Sequence, residues 1–199
     1  MLEQRIQQHF IDSADLKYQA GPALSKPISQ AMQALLACVT SGGKILACGA
    51  GVSGLLAEQF AAQFVGRFER ERPGLAAIAL PGDTTDPAAD TAEAIDADRF
   101  ARQVHALGQA GDVLLALSVG GQSAGVLAAI EAAHMRDMTV VALLGASGGP
   151  AGRALRETDV QVSVPHERAL RIHEVHLLAL HCLCDGVDAQ LLGEQEASP

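Results

Sequence analysis

The apolar residues of this chain fall into five short continuous runs, and a longer helical stretch follows each run. Runs of this length, rich in Ala, Leu, Val and Ile, are typical of strands that are buried on both faces. Because helices between such strands cover both faces of a parallel sheet, the pattern predicts an α/β protein with a three-layer α/β/α fold and a five-stranded parallel sheet. The predicted strands are 44–48, 75–80, 112–118, 139–144 and 159–164, and the predicted helices are 53–68, 97–107, 123–134, 150–156 and 167–190.

Two further helices are predicted before the first strand. Apolar positions at near-helical spacing indicate a helix over residues 1–20, which a Gly-Pro pair at 21–22 is expected to end. A second helix begins near Pro27 and stops at a Ser-Gly-Gly sequence. Since both helices carry apolar stripes outside the predicted sheet, we divide the chain into an N-terminal helical arm for oligomerisation, 1–43, and an α/β domain, 44–199.

Glycine and serine residues follow the first and the third predicted strands. The first strand runs into Gly-Ala-Gly-Val-Ser-Gly at 49–54, and the third ends in Ser-Val-Gly-Gly-Gln-Ser at 118–123. In a doubly wound sheet of flavodoxin-like order 2-1-3-4-5, strands one and three are neighbours, and ligands bind at their carboxyl ends. Backbone N–H groups and hydroxyls at the start of a helix favour an anion. The predicted ligand-binding residues are Gly49, Gly51, Ser53, Ser118, Gly120, Gly121 and Ser123.

The glycines of the first turn also fit the dinucleotide fingerprint G-x-G-x-x-G. That fingerprint requires an acidic residue about 20 residues further on, near the end of the second strand. Here the second strand runs into Pro81 and Gly82, and Asp83 lies well beyond that spacing. Two turns that carry hydroxyls suit one compact phosphate better, so the sequence favours a phosphosugar ligand.

Charge and composition exclude other classes of partner. The formal net charge of −9 argues against direct nucleic-acid binding, which requires clustered Lys and Arg. The N-terminus lacks the pattern of a signal peptide, and no apolar run is expected to approach membrane-spanning length. The four cysteines lie inside apolar strand or helix patterns, as expected of reduced thiols. We therefore expect a cytoplasmic protein with no membrane partner.

These motifs resemble the sugar isomerase (SIS) domain, which binds phosphosugars at a serine-rich turn, and the likeness covers almost the whole chain. Within that family the chain looks like the phosphoheptose isomerase (GmhA) branch and its relative DiaA, a tetrameric protein that associates with the replication initiator DnaA. The resemblance implies a homotetramer. The segments that carry it are 63–75, 107–115 and 171–176 for both branches, and 1–48, 136–143 and 182–185 for DiaA in particular.

The resembling isomerases interconvert sedoheptulose 7-phosphate and D-glycero-D-manno-heptose 7-phosphate with a zinc site and a glutamate/histidine pair. This chain departs from that pattern at Gln59 and Gln63, which stand in place of a histidine and the glutamate. An amide neither accepts a proton at neutral pH nor matches imidazole or carboxylate as a zinc ligand. On the last predicted helix, His173 replaces a glutamine, whereas His181 matches the histidine of the resembling proteins.

The missing base predicts a non-catalytic protein of phosphosugar-binding fold, similar to DiaA, that acts by binding DnaA. In DiaA, a Leu-Phe pair required for this binding lies near the C-terminus, and Leu191 and Leu192 match its position. The alternative is a phosphoheptose isomerase with a rearranged site that uses His173 or His181 as the base.

No cofactor is expected at these histidines. His173 and His181 are separated by about 12 Å along one helix, so they share a zinc ion only with the help of ligands from another helix or subunit. Zinc bound by His173 and His181 is the alternative.

Overall fold

The computed structural model describes residues 1–82 and 98–193, and over these residues it confirms the predicted three-layer α/β fold. The strands are β1 (Ile45–Gly49), β2 (Ala77–Ala79), β3 (Val113–Ser118), β4 (Thr139–Gly145) and β5 (Val160–Val164). They form one parallel sheet in the predicted order β2-β1-β3-β4-β5. The helices are α1 (Leu2–Thr40), α2 (Val52–Val65), α3 (Arg99–Leu107), α4 (Ala124–Met135), α5 (Gly149–Ala154) and α6 (Ala169–Leu192).

Alternate residues of the central strands face opposite sides of the sheet and build two separate cores. On β3, Leu115 and Leu117 pack in the core formed with α1, α2 and α6. Leu114 and Ala116 pack in the other core, with α3, α4 and α5. Because helices cover both faces, the carboxyl edge of the sheet is where a ligand can reach the strand ends.

The second strand is shorter than predicted. β2 covers three residues instead of the predicted 75–80, because it lies at the edge of the described sheet, where Ile78 is exposed. Asp83, whose spacing from the glycines disfavours the dinucleotide alternative, lies outside the described residues.

The prediction of two separate N-terminal helices is wrong. α1 is a single helix of 39 residues that contains both Pro22 and Pro27. A proline inside a helix removes one hydrogen bond and costs about 3 kcal/mol or more. Here an apolar stripe crosses both prolines and packs against α6, so burial on either side keeps the helix continuous. The buried residues of this stripe are Ala20, Leu24, Ala31, Leu35 and Cys38.

The stripe of α1 belongs to the same core as the sheet. Leu24 and Leu35 are part of the cluster that contains Val164 of β5 and Leu183 of α6. The N-terminal helix is therefore packed on the α/β layers over much of its length, and the division of the chain at residue 43 stays a prediction.

The last helix has the predicted length of 24 residues but begins and ends two residues later than predicted. An 18-residue window within α6 has a mean hydropathy of 1.2, so by length and composition alone this helix is long and apolar enough to cross a membrane. The expectation that no apolar segment reaches this length is therefore wrong. Ile172, Val175 and Leu183 of α6 are buried in the core beside α1 and α2, however, as in a core helix of a globular protein.

A buried ion pair joins the end of α2 to α6. The Arg72 Nε donates to Asp188 Oδ1 at 2.5 Å, and the two side chains are only 1% and 3% exposed. The same guanidinium donates to the carbonyl oxygens of Gln63 and Phe64 at 3.1 and 2.8 Å, where α2 ends. Arg72 therefore caps α2 and fixes it to α6 at once.

Replacing Asp188 by Ala is expected to lower the free energy of unfolding by about 3–5 kcal/mol, because the Arg72 charge would stay buried without its partner. Urea denaturation at fixed protein concentration measures this loss. The matched control is Asp185→Ala on the exposed side of the same helix, for which we expect a change within about 0.5 kcal/mol. A loss below about 1 kcal/mol for Asp188→Ala would show that the pair does not hold the two helices together.

Candidate functional site

Two turns lie side by side at the carboxyl edge of the sheet. Gly49, the last residue of β1, is paired with Leu117, so Ser118 at the end of β3 lies next to the β1 turn. Ser53 is the second residue of α2, and Ser123 is the N-cap of α4. The sequence therefore placed both turns correctly, each at the N-terminus of a helix.

Close backbone contacts require glycine at several positions of these turns. Gly51 and Gly121 adopt φ angles of 55° and 63° in the left-handed region. A Cβ on Gly121 would lie 2.0 Å from the carbonyl oxygen of Gly148. A Cβ added to Gly120, in contrast, would make only an ordinary van der Waals contact with Gln122. The β3 turn thus packs directly on the backbone of the turn that follows β4.

The serine side chains of the two turns are buried in the single chain. The Ser123 Oγ accepts a hydrogen bond from the backbone N–H of Val126 at 3.4 Å, as expected of a helix cap. The Ser53 Oγ lies 3.3 Å from the Nε2 of His173 on α6. Binding of a phosphate by Ser53, Ser118, Ser123 and the glycines stays a prediction.

The three histidines of α6 contact three different parts of the protein. His173 meets Ser53, at the start of α2. The ring centroids of His181 and Phe68 are 5.5 Å apart. The His181 Nε2 lies 3.4 Å from the Gln59 amide nitrogen, which can only donate. His181 therefore uses its Nε2 lone pair as an acceptor.

The third of these histidines, His176, is fully buried between α6 and β4. Its Nε2 lies 3.2 Å from the carbonyl oxygen of Leu144, which can only accept, so Nε2 carries the proton. Burial lowers the pKa of the His176 imidazole from 6.5 to about 4, although the bond to Leu144 acts in the opposite direction. His176 is therefore neutral at physiological pH and serves packing, beside the ring of His173 at 6.4 Å.

Gln63, at the position of the expected catalytic glutamate, is held by a buried thiol. The Cys184 Sγ lies 3.8 Å from Gln63 Oε1. Burial and the negative charge of Asp188 raise the pKa of the Cys184 thiol to about 12, so the thiol stays protonated and donates to the amide oxygen. Gln63 is thus oriented by α6, but its amide has no proton-accepting role at neutral pH.

A resident zinc ion does not fit the donor atoms present here. Gln59, Gln63, His173 and His181 offer two neutral amides and two imidazoles, whereas zinc takes thiolate, imidazole and carboxylate ligands. Among residues 1–82 and 98–193, no three His, Cys, Asp or Glu side chains are grouped so as to hold a metal ion. The expected absence of a cofactor stays a prediction.

Sequence reasoning did not foresee which side chains would meet across α2 and α6. Ser53 and His173 are 120 positions apart, and Arg72 and Asp188 are 116 positions apart. No spacing rule connects such distant positions. Leu191 and Leu192, the predicted partner-binding pair, are each 39% exposed at the end of α6, and that role stays a prediction.

The lowered pKa of His176 predicts a specific loss of stability in acid. Above pH 6.5 the imidazole is neutral in both states, and between 6.5 and about 4 only the unfolded state takes up a proton. Stability is thus fully present above pH 6.5 and falls as the pH drops towards 4. We expect wild-type protein to lose roughly 2 kcal/mol more of its unfolding free energy over this range than His176→Gln does.

Urea denaturation at several pH values measures this difference. Replacing the exposed His105 by Gln is the matched control and should leave the pH dependence of the wild type unchanged. Parallel curves for the wild type and His176→Gln would mean that His176 accepts a proton in the folded state as readily as in the unfolded state.

The chain is similar over nearly its full length to proteins named phosphoheptose isomerase. The SIS domain family matches residues 9–145. The phosphoheptose isomerase of Methylibium petroleiphilum is 63% identical over 98% of both chains. The structure of GmhA from Neisseria gonorrhoeae is 44% identical in sequence to this chain, with a TM-score of 0.83. The match covers 95% of this chain and 100% of the GmhA chain. The structure of a phosphoheptose isomerase from Francisella tularensis is 39% identical in sequence, with a TM-score of 0.84. The match covers 94% of this chain and 98% of the Francisella chain.

These similarities overturn the predicted function. The prediction of a non-catalytic, DnaA-binding protein is wrong, because the relatives of high identity are named phosphoheptose isomerase. These relatives support the isomerase alternative instead. Nothing in these similarities supports a closer relation to DiaA or a role in the initiation of DNA replication. Position 63 lacks the carboxylate of the resembling isomerases, but the similarity to proteins of that name extends over 98% of the chain. The chain belongs to the SIS-domain family, in its phosphoheptose isomerase branch.

Proposed function

We propose that this protein is an aldose–ketose isomerase that interconverts sedoheptulose 7-phosphate and D-glycero-D-manno-heptose 7-phosphate. The observation that carries the proposal is the 63% identity, over 98% of both chains, to a protein named phosphoheptose isomerase. The position of the two glycine and serine turns at the carboxyl edge of the sheet supports it, since this edge is the usual ligand site of such folds.

The turns would hold the phosphate, and α6 would face the sugar. Backbone N–H groups at the starts of α2 and α4 are oriented towards this edge, and the positive ends of both helix dipoles favour a phosphate there. The amides and imidazoles of Gln59, Gln63, His173 and His181 lie along the same α2–α6 junction. This arrangement offers hydrogen bonds to sugar hydroxyls beside the phosphate.

We also propose that the protein is a homotetramer in which α1 packs against other copies. Ile6, Phe10 and Tyr18 of α1 are 56%, 76% and 86% exposed in the single chain. A largely apolar groove of about 340 Å³ runs between α1 and α6, lined by residues that include Ile28 and Met32. Apolar surface of this kind on one helix suits a helix from a second copy.

We also propose that the protein is located in the cytoplasm. The four cysteines are free thiols, and Cys48 and Cys184 are buried, as in proteins of a reducing compartment. The core position of α6 supports the same location.

The isomerase function predicts that purified protein converts sedoheptulose 7-phosphate to the aldose phosphate, followed by NMR of the two sugars. Sedoheptulose without phosphate should be turned over at least about 100-fold less efficiently, because binding energy of the phosphate is lost from the transition state. Comparable turnover of both sugars would show that the two turns do not bind the phosphate of the substrate. No conversion of the phosphorylated sugar, with or without added zinc, would contradict the function.

The tetramer predicts a mass of four times 20.6 kDa by light scattering at micromolar concentration. Changing Ile6 and Phe10 together to Lys should give smaller species, because charges would be buried at the contact between copies. Met135→Lys on α4, also at an exposed position, is the control and should keep the tetramer. A monomeric wild type would show that the exposed face of α1 has another purpose.

A further inference from the structure

A small polar cavity lies on the side of α6 that faces α1, between the first turns of α1 and the start of α6. Its volume is about 200 Å³, and its lining residues are Arg5, Gln8, His9, Asp12 and Arg168. This volume is below that of a pocket for a drug-sized ligand, so it suits a small molecule. The residues of the two glycine and serine turns are not among those that line it.

A buried guanidinium fixes the imidazole of His9 in this cavity. Arg171 is 6% exposed, and its Nη2 lies 2.8 Å from the His9 Nδ1 and 3.0 Å from the His9 carbonyl oxygen. A guanidinium can only donate, so Nδ1 accepts and the ring proton is on Nε2. Glu174 balances the charge of Arg171 and accepts a hydrogen bond from the Ser13 hydroxyl at 2.6 Å. His9 therefore offers an N–H donor that has no acceptor in the described part of the chain.

Two exposed arginines add positive charge to the same cavity. Arg5 lies one turn before His9 on α1, and Arg168 is the N-cap residue of α6. Among the residues that the structure describes, neither has an ion-pair partner, although Asp12 lines the cavity with them. Two guanidinium charges around one cavity repel each other, and a bound anion relieves that repulsion. The positive end of the α6 dipole lies at this end of the helix and favours an anion as well.

We propose that this cavity binds a small phosphate monoester that carries hydroxyl groups, at a site separate from the proposed isomerase site. The guanidinium groups of Arg5 and Arg168 and the Nε2–H of His9 bind the phosphate oxygens. The Asp12 Oδ1 accepts a hydrogen bond from the Gln8 amide at 2.7 Å, which leaves Asp12 Oδ2 and the Gln8 amide oxygen as acceptors. These two acceptors bind the hydroxyls of the ligand.

Chemical modification of arginine tests this proposal on the full-length protein. Phenylglyoxal modifies accessible arginines, and mass spectrometry of peptides gives the rate at each position. Glycerol 3-phosphate should slow the modification of Arg5 and Arg168 at least about fivefold, with half-maximal protection below about 10 mM. Arg136, exposed at the end of α4, should react at an unchanged rate. Because each arginine is measured separately, phosphate that binds at the two turns does not affect the result.

A variant links the two arginines to one ligand. Arg168→Gln should raise the glycerol 3-phosphate concentration that protects Arg5 by about tenfold or more, because a charge-assisted hydrogen bond is lost. Lys26→Gln removes the same charge from an exposed position of α1 outside the cavity and should leave the protection unchanged. If Arg168→Gln does not fold, Arg5→Gln takes its place, and the protection of Arg168 is measured.

Two further probes identify the chemistry of the ligand. Inorganic phosphate should protect the same arginines only at concentrations at least about threefold higher, because it lacks the alcohol groups that bind Asp12 and Gln8. Glycerol, which lacks the phosphate, should give no protection. Equal protection by inorganic phosphate and glycerol 3-phosphate would overturn the assignment of a monoester with hydroxyls.

Three results would overturn the site itself. Protection that needs more than about 10 mM glycerol 3-phosphate would indicate an adventitious ion only. Unchanged protection of Arg5 in Arg168→Gln would show that the two arginines do not share a ligand. Arginines that react only after strong dilution of the protein would show that a second copy of the chain covers the cavity. None of these results depends on isomerase turnover, so the site and the proposed function are tested separately.

Discussion

The packing of α6 against α1 and α2 is the constraint on which both the fold and the site depend. α6 buries Ile172, Val175 and Leu183 in the core and is tied to the end of α2 through Asp188 and Arg72. This packing sets the rotation of α6 about its axis. The rotation in turn decides which histidine meets Ser53, which meets Gln59 and which is buried under β4.

Local patterns in the sequence predicted the layers and the two turns at the carboxyl edge of the sheet. Continuous apolar runs identify strands because both faces of a parallel sheet are buried, and glycine and serine after such runs locate the turns. The continuity of α1 across Pro22 and Pro27 could not be predicted this way. It depends on the stripe from Ala20 to Cys38 packing against α6, and a local rule about proline does not contain that long-range burial.

The functional site shows the same limit at the level of chemistry. Reading position 63 alone, an amide in place of a carboxylate indicates a protein that has lost its reaction. The structure places His173 of α6 beside Ser53 at the start of α2, although the two residues are 120 positions apart in the sequence. Substitution of one residue therefore says little about activity until the residues across from it are known.

The contact between Gly121 and Gly148 has a mechanical consequence. With no room for a Cβ between the two backbones, and with the Ala151 N–H donating to the Gly121 carbonyl at 3.1 Å, the β3 turn and the start of α5 cannot shift independently. The main chain of the β3 turn and of the start of α5 therefore forms one rigid unit beside the proposed phosphate site. Side chains around this unit can change while the spacing of its backbone amides stays constant, so at the proposed site ligand specificity could evolve without a change in the main chain.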